Sequence, residues 1–210
     1  MKVQPARRQF VKAAAAAIAT AQFPILGAND RINVGIVGLG NVGSALATRL
    51  LAFGSRVLYA DMVEKRFAGV ERVSLEDLLE LADVVSVHVP LNEETHHLIE
   101  AEALSRMPKG AYLINASRGP VVDEKALVAA LESGHLGGAG LDVFEIEPMP
   151  TNNPLRRMEN VFLSPHVGGA TLEAEARVLE VVRDNLVRVL DGEEPSNVVN
   201  GVRLGARLRR

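Results

Sequence analysis

Residues 33–43 read Asn33-Val-Gly-Ile-Val-Gly-Leu-Gly-Asn-Val-Gly43. A short β-type apolar run, Asn33–Val37, ends in a glycine loop, and a helical pattern follows over Val42–Phe53. In such a loop the first glycine, Gly38, makes the tight turn. The second, Gly40, lets backbone approach a pyrophosphate. The third, Gly43, permits close helix–strand packing, while the helix end beginning at Asn41 and Val42 turns its N–H groups toward the phosphates. The loop sits between a strand and a helix, the context that gives the pattern meaning. It predicts dinucleotide binding.

The next apolar run, Arg56–Ala60, is followed by Asp61. This is close to the roughly 20-residue spacing at which an acid hydrogen-bonds the adenosine ribose. A carboxylate there repels a 2′-phosphate, so NAD is the expected cofactor over NADP. Lys65 and Arg66 lie nearby and soften that preference.

Further strand-like runs are Asp83–Val87, Ala111–Asn115, Gly138–Val143 and Val161–Ser164. Helical candidates fall at Ser74–Leu81, Glu100–Met107, Asp123–Ser133 and Leu172–Leu190, with Leu179, Val182, Leu186 and Val189 at helical spacing in the last. Ser74 and Asp123 are placed as N-caps, and Gly134 as a C-cap. This alternation predicts an α/β fold, a doubly wound parallel sheet of the Rossmann type in a single domain over residues 31–200.

Composition narrows the function. The 210 residues are 48% hydrophobic and 23% charged, which supports a folded core. A net charge of −3, no tryptophan and 4% aromatics argue against a nucleic-acid partner. The absence of cysteine excludes disulfides and a thiol nucleophile. A basic tail, residues 201–210, reads as a solvated terminus, with an acidic partner as the alternative.

In open α/β sheets the ligand lies beyond the carboxyl ends of the strands. His88, Ser117, Arg118, Asp142 and His166 all fall there, along one edge. Hydride transfer to a 2-keto acid needs a cation for the carboxylate, a proton donor for the carbonyl oxygen and a group that tunes the donor. Arginine offers a planar fork to the carboxylate, and histidine titrates near neutrality. A neighbouring carboxylate stabilises an imidazolium. The candidates are Arg118, His166 and Glu147.

Longer passages carry a family resemblance: Ala82-Asp-Val-Val-Ser-Val-His-Val-Pro-Leu91, Asn115-Ala-Ser-Arg-Gly-Pro-Val-Val-Asp123, Gly140-Leu-Asp-Val-Phe-Glu-Ile-Glu-Pro148 and Ser164-Pro-His-Val-Gly-Gly-Ala-Thr171. In this order they resemble the D-isomer-specific 2-hydroxyacid dehydrogenases, the group that includes glyoxylate/hydroxypyruvate reductases and phosphoglycerate dehydrogenases. The resemblance implies that Arg118 holds the substrate carboxylate, that His166 is the acid/base and that Glu147 is its partner. It implies that Asp142 binds the nicotinamide amide and that Val87, Pro90, Thr95 and Ser117 line the cofactor groove. Gly168 and Gly169 would sit by the nicotinamide, and His88 is grouped with the cofactor residues. It also implies a small 2-hydroxy or 2-keto acid substrate and a homodimer formed through the cofactor domain. Members carry a separate substrate domain ahead of the glycine loop. Here residues 1–30 precede the first strand, so the expectation is a chain with that domain missing.

Those first residues read differently. Arg7-Arg8-Gln9-Phe10-Val11-Lys12, then the alanine-rich stretch to Leu26, resemble a twin-arginine export signal, which predicts a periplasmic location. The alternatives are a retained leading helix and a cytoplasmic protein. The segment is too short and too alanine-rich for a stable membrane span. Gly27-Ala-Asn-Asp-Arg-Ile-Asn-Val-Gly-Ile-Val-Gly38 resembles the opening of glucose–fructose oxidoreductase/inositol dehydrogenase-type enzymes. The principal expectation is an NAD-dependent D-2-hydroxyacid dehydrogenase. The alternative is a non-catalytic or incomplete NAD-binding subunit.

Overall fold

The computed structural model describes residues 32–199. The proposed leader and the basic tail lie outside these residues. The elements are β1 (Asn33–Val37), α1 (Asn41–Ala52), β2 (Arg56–Ala60), β3 (Val70–Arg72), α2 (Leu75–Leu81), β4 (Val84–Val87), α3 (Ala101–Arg106), β5 (Tyr112–Asn115), α4 (Glu124–Glu132), β6 (Gly138–Leu141), β7 (Val161–Leu163) and α5 (Leu172–Leu190). Single 3₁₀ turns occur at Gly119–Val121 and Pro154–Arg157.

Seven strands form one sheet in the order β3-β2-β1-β4-β5-β6-β7, and every pairing is parallel. Because both faces of such a sheet are covered, its strands are continuously apolar and not alternating. Val34, Ile36 and Val37 of β1 and Val57 to Ala60 of β2 are all buried. Two cores result. One joins Leu78, Leu79, Val85, Leu104, Leu113 and Leu127, and so places α2, α3 and α4 against the sheet. The other joins Ile36, Ala47, Val57 and Tyr59, with Leu46 and Leu50 of α1 packed on it. Truncating the fully buried Leu113 to alanine is expected to cost about 2–5 kcal/mol.

The caps form as the sequence predicts. Ser74 Oγ accepts the N–H of Asp77 at 3.0 Å, and Asp123 Oδ1 accepts that of Ala126 at 2.9 Å. Gly134 adopts φ 68° just past α4. Two features were not written in the sequence pattern. β3 has only three residues and one partly buried side chain, too little apolar pattern to stand out. The apolar positions of α5 are exposed: none of its residues is buried, and Leu172, Leu179, Leu186 and Leu190 each keep 60% or more of their surface.

The chain order reverses direction between β1 and β4. That switch point opens a crevice at the carboxyl ends of the strands, and the candidate site residues converge on this edge.

Candidate functional site

The glycine loop is shaped as its spacing requires. Gly38 has φ 91°, a left-handed conformation natural to glycine. A Cβ on Gly43 would lie 2.3 Å from the Gly38 carbonyl oxygen, so Gly43 allows α1 to close on the loop. Gly40 is the opposite case. Nothing lies within 4 Å of where its Cβ would be, which leaves open space in front of the loop. Gly40 also caps α1 with no side chain, and the first turn carries no acidic residue. Bare N–H groups facing open space at a helix N-terminus suit a pyrophosphate.

That space belongs to a cavity of about 1010 Å³. Of the sequence candidates, Gly38, Gly40, Asp61, His88, Pro90 and Thr95 line it. Asn41 and Val42 open α1, with Val42 exposed beside the loop. Asp61 accepts the Leu39 N–H through Oδ2 at 2.8 Å and the Val63 N–H through Oδ1 at 3.0 Å. The carboxylate thus braces the glycine loop and is held at the end of β2. Thr95 organises its own loop: its hydroxyl donates to Pro90 O at 2.6 Å and accepts the Asn92 N–H at 2.9 Å. His88 Nε2 lies 2.8 Å from Ser86 Oγ, and burial pushes its pKa down, so the ring is neutral at neutral pH. Val87 is fully buried in the main core. Its side chain packs in that core.

The sequence did not single out Arg72 or Ser74 as site residues, yet both line the cavity, together with Lys65. Arg72 donates to Asp61 O at 3.1 Å. Nothing in a three-residue edge strand marks this arginine in advance.

The acid/base candidates meet at a second opening, of about 760 Å³, bordered by Glu147, Ser164 and His166. His166 Nδ1 lies 2.7 Å from Glu147 Oε2. Glu147 Oε1 accepts the Phe144 N–H at 2.9 Å. The hydrogen bond from His166 holds the Glu147 carboxyl below the usual glutamate range against the effect of burial, helped by the Phe144 N–H and by the charges of His166 and Arg118. An ionised carboxylate only accepts, so Nδ1 carries the shared proton and Nε2 is left for a ligand. His166 has φ 54°, a left-handed conformation uncommon for a residue with a side chain.

Asp142 has a larger structural task than sequence reasoning assigned. Its Oδ1 accepts Ser164 Oγ at 2.6 Å and the Val167 N–H at 2.9 Å, and its Oδ2 accepts the Gly168 N–H at 2.8 Å. It ties the His166 loop to the end of β6. Gly168 is pressed on this carboxylate, whereas Gly169 faces open space. Asn115, unremarked as a site residue, does the same for the next loop. Its Oδ1 accepts the N–H and hydroxyl of Ser117 at 3.0 and 2.8 Å, and its Nδ2 donates to Arg118 O at 2.9 Å. The signal for it was a buried polar residue closing an apolar strand. Arg118 is exposed, and its guanidinium donates to Ser117 O at 2.6 Å.

Among the described residues no group of three metal-ligating side chains occurs, and no helix is long and apolar enough to cross a membrane.

A family model, D-isomer specific 2-hydroxyacid dehydrogenase, NAD binding domain, matches residues 5–168. A glyoxylate reductase of Thermofilum pendens is 51% identical over 172 residues, covering 80% of this chain and 51% of that protein. The holo form of Rhodotorula graminis D-mandelate dehydrogenase superposes with a TM-score of 0.80 at 32% identity, over 93% of this chain and 57% of that one. A probable 2-hydroxyacid dehydrogenase of Rhizobium etli, solved with NADP, HEPES and L(+)-tartaric acid, gives a TM-score of 0.75 at 30% identity, over 92% and 63%. The chain spans about half the length of the curated relatives it matches.

Proposed function

The chain belongs to the D-isomer-specific 2-hydroxyacid dehydrogenase family through its NAD-binding domain, and on that premise we propose that it reduces a small 2-keto acid of the glyoxylate or hydroxypyruvate type to the D-2-hydroxy acid, with phosphoglycerate-type acids as the wider class. The observation that carries the proposal is the 2.7 Å contact between His166 Nδ1 and Glu147 Oε2. It is an acid/base pair at the strand edge where the glycine loop offers its backbone.

A nicotinamide dinucleotide bound along that edge supplies the hydride. Gly40 and the first turn of α1 would hold its pyrophosphate, and Asp61 would accept from its adenosine ribose. Arg118 binds the substrate carboxylate with its planar fork after leaving the Ser117 carbonyl. His166 would give the proton on Nε2 to the substrate's carbonyl oxygen, and Glu147 stabilises the imidazolium before that transfer. Asp142 keeps His166, Val167 and Gly168 in register with the end of β6. Asp61 favours NAD over NADP, although Lys65 and Arg72 border the same cavity.

The test is NADH oxidation by the full chain across a panel of 2-keto acids, with sugars and cyclitols as controls. Turnover of glyoxylate or hydroxypyruvate is expected. Binding of NADH with no turnover on any acid would contradict the catalytic proposal.

A second reading is a dinucleotide-binding subunit that needs a partner for catalysis. The exposed apolar residues of α5 favour it. Size-exclusion chromatography coupled to light scattering checks this reading and the expected homodimer together. The arginine pair Arg7-Arg8 supports export to the periplasm, which fractionation of cells expressing the full chain checks.

A further inference from the structure

Glu147 stands on an exposed loop. Phe144 is buried, but Glu145 to Pro148 are all exposed, so packing alone does not fix where the carboxylate points. The Phe144 N–H and His166 Nδ1 hold the carboxylate directly, and the neighbouring residue fixes the loop that carries it. Glu145 Oε1 accepts the Glu124 N–H at 3.0 Å and lies 2.9 Å from His97 Nε2. The Glu145 N–H donates back to Glu124 Oε2 at 3.2 Å. Glu124 Oε1 then accepts Asn153 Nδ2 at 2.6 Å, and the buried Asn153 caps the 3₁₀ turn by accepting the Leu155 N–H at 2.9 Å. The loop bearing Glu147 is therefore pinned on both sides, at Glu145 and at Asn153, to the start of α4.

His97 is the outer anchor of this chain of contacts. Its N–H donates to Pro120 O at 2.8 Å, which fixes it to the turn after Arg118. In that same turn a Cβ on Gly119 would fall 1.9 Å from the Phe144 carbonyl oxygen, so the two loops touch through backbone. His97 also has φ 52°. Among the described residues only His97 and His166 are non-glycine residues with positive φ. Glycine would take the backbone shape of position 97 without strain. A histidine there points to a use for the ring. The groups facing that ring are Glu145, Glu124 behind it and the ring of His96, whose centroid is 4.0 Å away.

We propose, resting on the reading of Glu147 and His166 as the acid/base pair, that His97 is a positioning residue which, by clamping Glu145, sets the 144–148 loop so that Glu147 meets His166. It touches neither substrate nor cofactor. It acts through the loop.

The experiment compares the full chain with His97→Gly and His97→Asn. The glycine variant removes the ring and relieves the backbone, while asparagine tolerates the left-handed conformation and keeps a donor. The readout is the titration of the Glu147 carboxyl, followed by carbon-detected NMR of glutamate-labelled protein. In His97→Gly the midpoint is expected to move up toward the ordinary glutamate value, and in His97→Asn to move less. For 2-keto acid reduction, kcat falls at least about tenfold in His97→Gly with KM for NADH unchanged. An unmoved Glu147 titration in folded His97→Gly overturns the proposal. If that variant does not fold, Glu145→Ala removes the clamp from the other side and must raise the same midpoint, or the proposal fails. The NMR arm needs no turnover, so an inactive wild-type chain would refute the proposed reaction and leave this test intact.

Discussion

Gly40 and Gly43, three residues apart on the same loop, have opposite surroundings: a Cβ on Gly43 would collide with the Gly38 carbonyl oxygen, whereas one on Gly40 would meet nothing within 4 Å. On the proposed reading the first glycine of this pair serves a ligand, whereas the second serves the fold. Gly40→Ala is therefore expected to keep the wild-type melting temperature and to weaken NADH binding at least about tenfold, since a methyl group occupies the pyrophosphate's approach. Gly43→Ala is expected to lose about 1–3 kcal/mol of stability by overpacking. Thermal melts and NADH fluorescence titration of the two variants separate these roles.

Asp142 is 8% exposed and accepts three hydrogen bonds. Asparagine there would set an amide donor against one of the present donors. Asp142→Asn is expected to destabilise the domain by about 1–3 kcal/mol and to loosen the His166 loop. Chemical denaturation gives the first effect. Faster amide exchange at Val167 and Gly168 gives the second.

Acid should destabilise the protein in two stages. His88 is held neutral by burial, so below its ordinary value of about 6.5 the unfolded chain binds more protons and stability begins to fall. For Asp142, burial works against the charge. The Ser164 hydroxyl, the Val167 and Gly168 N–H groups and the His166 charge outweigh it and leave the pKa lowered. Glu147 is lowered as well. A carboxylate with a depressed pKa contributes its full stability above the unfolded value, about 4, and loses it as the pH falls through the folded value. Melting temperature measured from pH 8 to pH 3 should decline in both windows, and Asp142→Asn should flatten the lower one.

Asp61 borders the cavity together with Lys65 and Arg72, and the proposed preference for NAD rests on its negative charge. Asp61→Ser is expected to shift the ratio of NADPH to NADH affinity by at least about tenfold toward NADPH, the order of one removed charge contact. Because Asp61 also accepts the Leu39 N–H, some loss of affinity for both cofactors accompanies the shift. Fluorescence titration with each reduced cofactor measures it.

Much of this fold was legible because its signals are local. β1, β2 and α5 occupy the predicted residues, since continuous apolar runs and helical spacing are written in adjacent positions. Ser74 and Asp123 cap their helices for the same reason. Glu147 and His166 were named together from the chemistry a proton donor needs and again from the family resemblance, but the strand between them keeps their 2.7 Å contact out of reach of any local pattern. What stayed hidden is set by tertiary contact. β3 exists because β2 offers it an edge, not because Val70–Arg72 has a strand pattern. The left-handed backbone of His166, the commitment of Asp142 to three donors and the presence of Arg72 in the cavity all depend on loops brought together by the sheet. The helical spacing in α5 marked an apolar face, and its exposed leucines show that periodicity reports a face without naming what covers it.

Single-turnover hydride transfer from NADH to glyoxylate, measured beside NADH binding in the full chain and in His166→Ala, tests the assignment of the acid/base pair most directly. The variant is expected to bind NADH as the wild type does and to transfer hydride on the order of 10² to 10⁴ times more slowly. Equal transfer rates in the two proteins would contradict that assignment.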